Sequence, residues 1–327
     1  MVLSICYGTF DHDCIFAHLG QQNSSHHELK WKQYAETVAG GNGSGNESNQ
    51  LSFPQGIYVQ HQQQLIYIAD YRNHRIIRWK IGENNGQIVG GGNGGGNRTD
   101  QLLFPTDVIL DENNKSLIIC DSGNRRVVQS SLENHKHKQI IISNIKCAVL
   151  VMNQNGDLFI SDQERHEVKR WRKGEKGEGT VVAGGNGKGN ELNQLNAPTF
   201  IFVDQEDAVY ISDCYNHRVM KWMKDASEGI VVAGGLGKGS SSKQMHYPMG
   251  LVVNKVGDIY VADERNNRIM CWSSESSEGR VIVGGNGFGE KLNQFNDLRG
   301  LSFDIENNLY VADANNNRIQ RFSLDKN

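Results

Sequence analysis

Ile259-Tyr260-Val261-Ala262-Asp263-Glu264-Arg265-Asn266-Asn267-Arg268-Ile269-Met270-Cys271-Trp272 is the stretch that decides the fold of this chain. Side-chain character alternates up to Asp263, a polar turn follows, and alternation resumes from Arg268. That is the signature of two short strands joined by a tight turn. Outward from it, residues 250–253 form an apolar run before a turn at 254–258. Residues 281–283 form another after the polar stretch 273–279. The unit therefore reads as four strands in about 50 residues, with no sustained helical period.

The same unit is written six times. Its aspartate falls at Asp70, Asp121, Asp162, Asp213, Asp263 and Asp313, at intervals of 51, 41, 51, 50 and 50 residues. A fixed period of this size marks a repeat architecture. Four strands per unit and six units specify an all-β, six-bladed β-propeller of four-stranded blades. The sixth copy stops after three strands, and the missing one lies at the other terminus. There Thr37-Val38-Ala39-Gly40-Gly41-Asn42 matches Val181-Val182-Ala183-Gly184-Gly185-Asn186. The N-terminal strand is expected to pair with Arg318–Phe322 and close the ring, removing an exposed sheet edge. The expected organisation is a poorly ordered leader over 1–34, the propeller over 35–323 and a tail over 324–327.

Composition excludes some function classes. Lys and Arg number 34 against 37 Asp and Glu, and a net charge of −3 exerts no general pull on nucleic acid or anionic lipid. No apolar run approaches the roughly 20 residues that span a bilayer. The first ten residues lack a basic region and Asp11 ends their apolar run, so no secretory signal is expected. A cytoplasmic location is favoured over secretion, and a monomer is expected. Cys120 fills the small-residue slot before a repeated Asp. Cys147 stands where other copies carry Pro54, Pro105, Pro198 and Pro248. Both cysteines read as small packed residues. Cys6, His12, Cys14, His18, His26 and His27 in the leader show no zinc-ligand spacing. Trp31 is expected to pack on the outer edge of the ring.

Slots that recur around the ring read as construction. Trp79, Trp171, Trp222, Trp272 and Phe322 share one slot, with Ser130 the exception, and are expected to pack between blades. The spacing Asp-x-x-Asn-x-Arg recurs as Asp70/Asn73/Arg75, Asp121/Asn124/Arg126, Asp213/Asn216/Arg218, Asp263/Asn266/Arg268 and Asp313/Asn316/Arg318. Two copies contain Asn73-His74-Arg75 and Asn216-His217-Arg218. On these residues the chain resembles the NHL repeat family, named for an Asn-His-Leu-type motif, over roughly Glu36 to Phe322. Copy three departs, with Arg165, His166 and Glu167 after Asp162. A group repeated in every blade cannot converge on one reaction centre. The Asp–Arg pairs therefore read as structural clips, the carboxylate accepting turn N–H groups and the arginine bonding to it across the hairpin. Gly184-Gly185-Asn186-Gly187-Lys188-Gly189 looks like a phosphate cradle but lacks the Lys-Ser/Thr and the helix that a P-loop needs. Its recurrence makes it a blade connection.

Function is expected on the face that gathers these glycine-rich connections with the turns after each repeated Asp. The residues there vary from blade to blade, and a fixed scaffold carrying varied short loops is how binding surfaces are built. The binding candidates are Tyr71, Arg72, Glu164, Tyr215, Glu264, Arg265 and Arg299. The expected role is a non-enzymatic interaction module for a protein or peptide, with no catalytic residue, no metal and no cofactor. The resemblance implies two alternatives. Some NHL propellers of tripartite-motif proteins bind single-stranded RNA, a mode that wants a basic groove with stacking aromatics. A metal-dependent propeller lyase or hydrolase would want histidines or several carboxylates at the axis. The axial slots hold Gln55, Thr106, Asp107, Ala148, Thr199, Met249 and Arg299, with one carboxylate and no histidine. The short interval from Asp121 to Asp162 lacks a glycine-rich connection and predicts a notch on this same face at the border of blades 2 and 3; His135 and His137 alternate in the segment that replaces the connection.

Overall fold

The computed structural model describes residues 29–133, 138–274 and 276–326. The alternating segments pair into six four-stranded antiparallel sheets. Blade 1 is typical, with strands Pro54–Gln60, Leu65–Asp70, Arg75–Lys80 and Gly86–Gly91. The last blade joins Leu298–Phe303, Leu309–Asp313 and Arg318–Phe322 to Glu36–Gly40 from the start of the chain. Glu36 lies opposite Arg321 and Gly40 opposite Arg318, with a bulge between Thr37 and Ala39. Val38 and Ala39 are buried in one cluster with Trp79, Tyr310 and Ile319, so the closing strand is packed as well as hydrogen-bonded.

The first strands of neighbouring blades abut around the axis. Crowding there explains the glycine slot: a Cβ added at Gly250 would lie 2.3 Å from the Arg299 carbonyl oxygen. Each second strand is covered on both sides by other blades. Leu65–Asp70 is accordingly buried at every position. Trp79, Trp222, Trp272 and Phe322 are 2% exposed or less. Trp79 packs with Tyr310 of blade 6, and Trp171 with Ile118 and Cys120 of blade 2, so the aromatic slot fills the gap toward the preceding blade.

One finding goes beyond the sequence reading. Cys120 and Cys147 are joined as a disulfide across the border of blades 2 and 3, their Cα atoms 5.5 Å apart. The sequence gives no hint of this, because the contact depends on two blades meeting. Residues 29–34 are also placed against the ring. Trp31 is 3% exposed, stacks on Phe303 with centroids 5.8 Å apart, and meets Tyr260 edge-on at 5.7 Å. Residues 1–28, with their cysteines and histidines, and His135 and His137 lie outside the described residues. Among the described residues no helix is long and apolar enough to cross a membrane.

Candidate functional site

The repeated Asp, Asn and Arg form one unit with a wider task than closing a hairpin. Asp263 Oδ2 accepts from Arg268 Nε at 2.7 Å and from Asn266 Nδ2 at 2.8 Å. Its Oδ1 accepts the His246 N–H at 2.7 Å. The other guanidinium nitrogens of Arg268 donate to the carbonyls of Ser240, Ser241 and Gln244, and Asn266 also donates to Gly239. All these partners belong to the connection arriving from the preceding blade. The same set recurs at Arg75, Arg126, Arg218 and Arg318. The five carboxylates of these clips are fully buried.

This explains the departure of blade 3. The chain enters it directly from Lys138–Ser143 to Cys147–Met152, so no glycine-rich connection needs holding. Among the described residues Asp162 Oδ1 accepts only the turn N–H groups of Glu164 and Arg165, and Glu167 occupies the arginine position.

The histidines of the motif have a comparable role. His74, His166 and His217 all adopt positive φ, between 54° and 56°. Their Nδ1 atoms accept the backbone N–H of Phe104, Ala197 and Tyr247 in the next blade, at 3.1 to 3.3 Å. Asn317 Oδ1 does the same for Phe53 at 3.0 Å across the closure of the ring. Burial lowers the pKa of His166 and His217, favouring the neutral ring that can accept.

The residues so gripped sit just before the proline slot and themselves adopt positive φ: Phe53 at 57°, Phe104 at 48° and Tyr247 at 59°. A bulky residue seldom takes this conformation. Here it turns aromatic rings onto the variable face. Phe53, Phe104 and Tyr247 are the residues the sequence reading missed. Their only signal in the sequence is a position before proline that varies between aromatic and other residues.

Several predicted candidates gather around these rings. The Arg72 guanidinium lies 4.4 Å from the Phe53 centroid, and that of Arg299 lies 5.4 Å from it. Tyr71 touches both Phe53 at 6.0 Å and Phe104 at 4.9 Å. Arg299 Nε pairs with Asp297 Oδ1 at 2.5 Å. Glu264 is buried and pairs with the exposed Arg265 at 3.0 Å. Burial, with Asp297 adding its charge, pushes the Glu264 carboxyl up to about 6. Tyr215 is 54% exposed and meets Tyr247 edge-on at 5.4 Å. Glu164 instead pairs with Arg125 at the border of blades 2 and 3. That hydrogen bond holds its carboxyl below the usual range.

The axial slots are mostly closed. Thr199 donates to Ser212 and Pro248 carbonyls, and Ala148 and Met249 are buried. Asp107 is 6% exposed, its Oδ2 accepting the Leu150 N–H at 3.1 Å. Burial raises its carboxyl to about 7. Among the described residues no three His, Cys, Asp or Glu side chains stand together as a metal-holding group.

The NHL repeat family model matches residues 51–79, 245–272 and 295–322, which cover the motif-bearing strands of blades 1, 5 and 6. The chain carries NHL repeats. No curated protein sequence matches it significantly. Among solved structures, this NHL-repeat propeller is similar to an auxiliary nutrient binding protein from Bacteroides thetaiotaomicron. The two are 16% identical over 91% of this chain and 78% of that one, with a TM-score of 0.68. It is similar to a gluconolactonase from Xanthomonas campestris at 11% identity, over 91% of this chain and 98% of that one, with a TM-score of 0.62. A chain of a nidogen/laminin complex matches at 14% identity over 78% of this chain and 91% of that one, with a TM-score of 0.56. At these identities the likeness shows the fold alone.

Proposed function

We propose that the face bearing the glycine-rich connections binds a protein or peptide, without catalysis. The observation that carries this reading is the pair Arg72 and Arg299 against the buried Phe53 ring, beside Tyr71 and the exposed Phe104. Aromatic and arginine side chains are the groups that contribute most at interface centres. The rigid clips keep the loops ordered before binding, which lowers the entropic cost of association. Arg72 has no carboxylate partner among the described residues, so an acidic side chain next to an apolar one suits it. The nidogen/laminin match shows a similar fold in a chain that takes part in a protein complex.

Single-stranded RNA is the second reading, favoured by the same arginine and stacking rings. Glu264 and Asp297 beside Arg299 count against a strongly basic groove. The test is selection of a random peptide display library on the immobilised protein, with a U12 oligonucleotide titrated in parallel. Enriched peptides whose affinity falls at least about tenfold in Arg72→Ala and Phe104→Ala support the reading. Tight U12 binding without enriched peptides would replace it with RNA, and turnover of gluconolactone by the purified chain would replace it with an enzyme.

A further inference from the structure

The opposite face of the ring holds a second kind of site, and the chain itself shows how such a site is filled. At the border of blades 5 and 6, residues 29–33 lie extended along the end of the chain. Trp31 bridges to Leu324 in antiparallel register, Lys32 N–H donates to Ser323 at 2.9 Å, and Asp325 N–H donates to Lys30 at 2.7 Å. The Trp31 indole sits on Tyr260 of blade 5 and Phe303 of blade 6, and its Nε1 donates to the Asn307 carbonyl at 2.8 Å.

Half a ring away, the border of blades 2 and 3 presents the same floor with smaller groups, beside the turn 172–179, which runs where residues 29–35 run in blade 6 and whose Arg172 carbonyl, in register with Ser323, accepts the Glu175 N–H at 2.8 Å. Counting from the repeated Asp, Ile118 stands where the other blades carry Tyr67, Phe159, Tyr210, Tyr260 and Tyr310. Met152 stands in register with Phe303, and Gly156 with Asn307. Gly156 and Asn307 both adopt positive φ, 83° and 60°, so the turn that carries the acceptor carbonyl has the same form. A cavity of about 530 Å³ results, lined by Ile118, Ile140, Met152, Gly156, Leu158 and Trp171. That volume falls within the range of about 300–1,000 Å³ typical of ligand pockets.

The rims differ in charge. At the filled border Lys32 faces a rim containing Glu306 and Asp325. At the other border Arg172, Lys173 and Lys176 line the cavity, and none of them forms an ion pair among the described residues. The two acids there are occupied, Asp111 by Asn114 and Glu175 by the Arg172 N–H.

We propose that the border of blades 2 and 3 is a docking site for an extended peptide segment of a partner protein, anchored by an aromatic side chain and flanked by acidic residues. The aromatic ring takes the place against Ile118 and Met152 that Trp31 takes against Tyr260 and Phe303. The acidic flanks meet Arg172, Lys173 and Lys176. This proposal stands apart from the reading of the loop-bearing face.

The probe is a fluorescein-labelled hexapeptide, LEWEQY, which is residues 29–34 with both lysines exchanged for glutamate. Polarisation should show saturable one-to-one binding to the full chain. Ile118→Tyr restores the ring that four sister blades carry, and should weaken binding at least about tenfold. Lys173→Glu changes an exposed side chain and should also weaken it, which keeps the test decisive should Ile118→Tyr fail to fold. The parent sequence LKWKQY, and LESEQY without the indole, should bind at least about tenfold more weakly than LEWEQY. Equal binding by wild type and both variants would overturn the proposal, because the peptide would then be displacing residues 29–33 at the other border. Absence of saturable binding at millimolar peptide would overturn it too. Self-association of the chain that disappears in Ile118→Tyr would assign the groove to a second copy instead.

Discussion

Asp107→Asn offers a sharp test of how the inner ring is built. Asp107 is the lone carboxylate of the axial slots, 6% exposed, and a Cβ on Gly56 would lie 2.0 Å from its Oδ1. Its remaining contacts are backbone N–H groups, which favour the ionised form but are outweighed by burial. A carboxyl moved from 3.8 to about 7 favours the protonated state by roughly 4 kcal/mol, at about 1.36 kcal/mol per tenfold change in proton affinity. Because the folded pKa lies above the unfolded one, this stabilisation is complete below about pH 4. It is lost as pH rises toward 7 and stays lost above it. Asparagine keeps an acceptor for the Leu150 N–H and carries no charge at any pH. Urea unfolding of wild type and Asp107→Asn, from pH 4.5 to 8.5, isolates the group, because all other titrations cancel in the difference. The variant should gain on wild type by about 3 kcal/mol between pH 4.5 and about 7.5, then hold a constant margin. A difference that stays flat between pH 4.5 and 8.5, or one that falls with pH, would refute the assignment.

The remaining stability predictions concern the closure and the clips. Deleting residues 1–39 should lower the melting temperature sharply, since it removes the buried Val38 and Ala39 and the partner of Arg318–Phe322, whereas deleting residues 1–30 keeps Trp31 and should change it by only a few degrees. Equal losses would remove the closure argument. Asp263→Ala leaves Arg268 and the His246 N–H without their carboxylate and should cost about 3–5 kcal/mol in chemical denaturation. It should also expose residues 234–245 to limited proteolysis first. Loss below about 1 kcal/mol would show that the clip serves neither the hairpin nor the connection.

The number of sheets, the pairing of their strands and the closure of the ring were all readable from local residue patterns. Period-2 alternation and turn residues act over a few neighbours, so residues 259–272 announce their hairpin without help from the rest of the chain. The match of residues 37–42 to residues 181–186 announces the closing strand in the same way. What those neighbours meet depends on the packing of distant segments. The arginine of each clip was legible as a partner of its Asp, but its grip on the preceding connection depends on where two blades come to rest. That dependence also accounts for Glu167 in the blade that has no such connection. The rings of Phe53 and Phe104 reach Tyr71, Arg72 and Arg299 because a positive φ turns them onto one face, and no local pattern states φ for a bulky residue. The disulfide between Cys120 and Cys147, the two rings on which Trp31 sits and the cavity beside Ile118 all arise where separate blades abut. Contacts between segments far apart in the chain depend on the packed ring, so they became visible only when it was assembled.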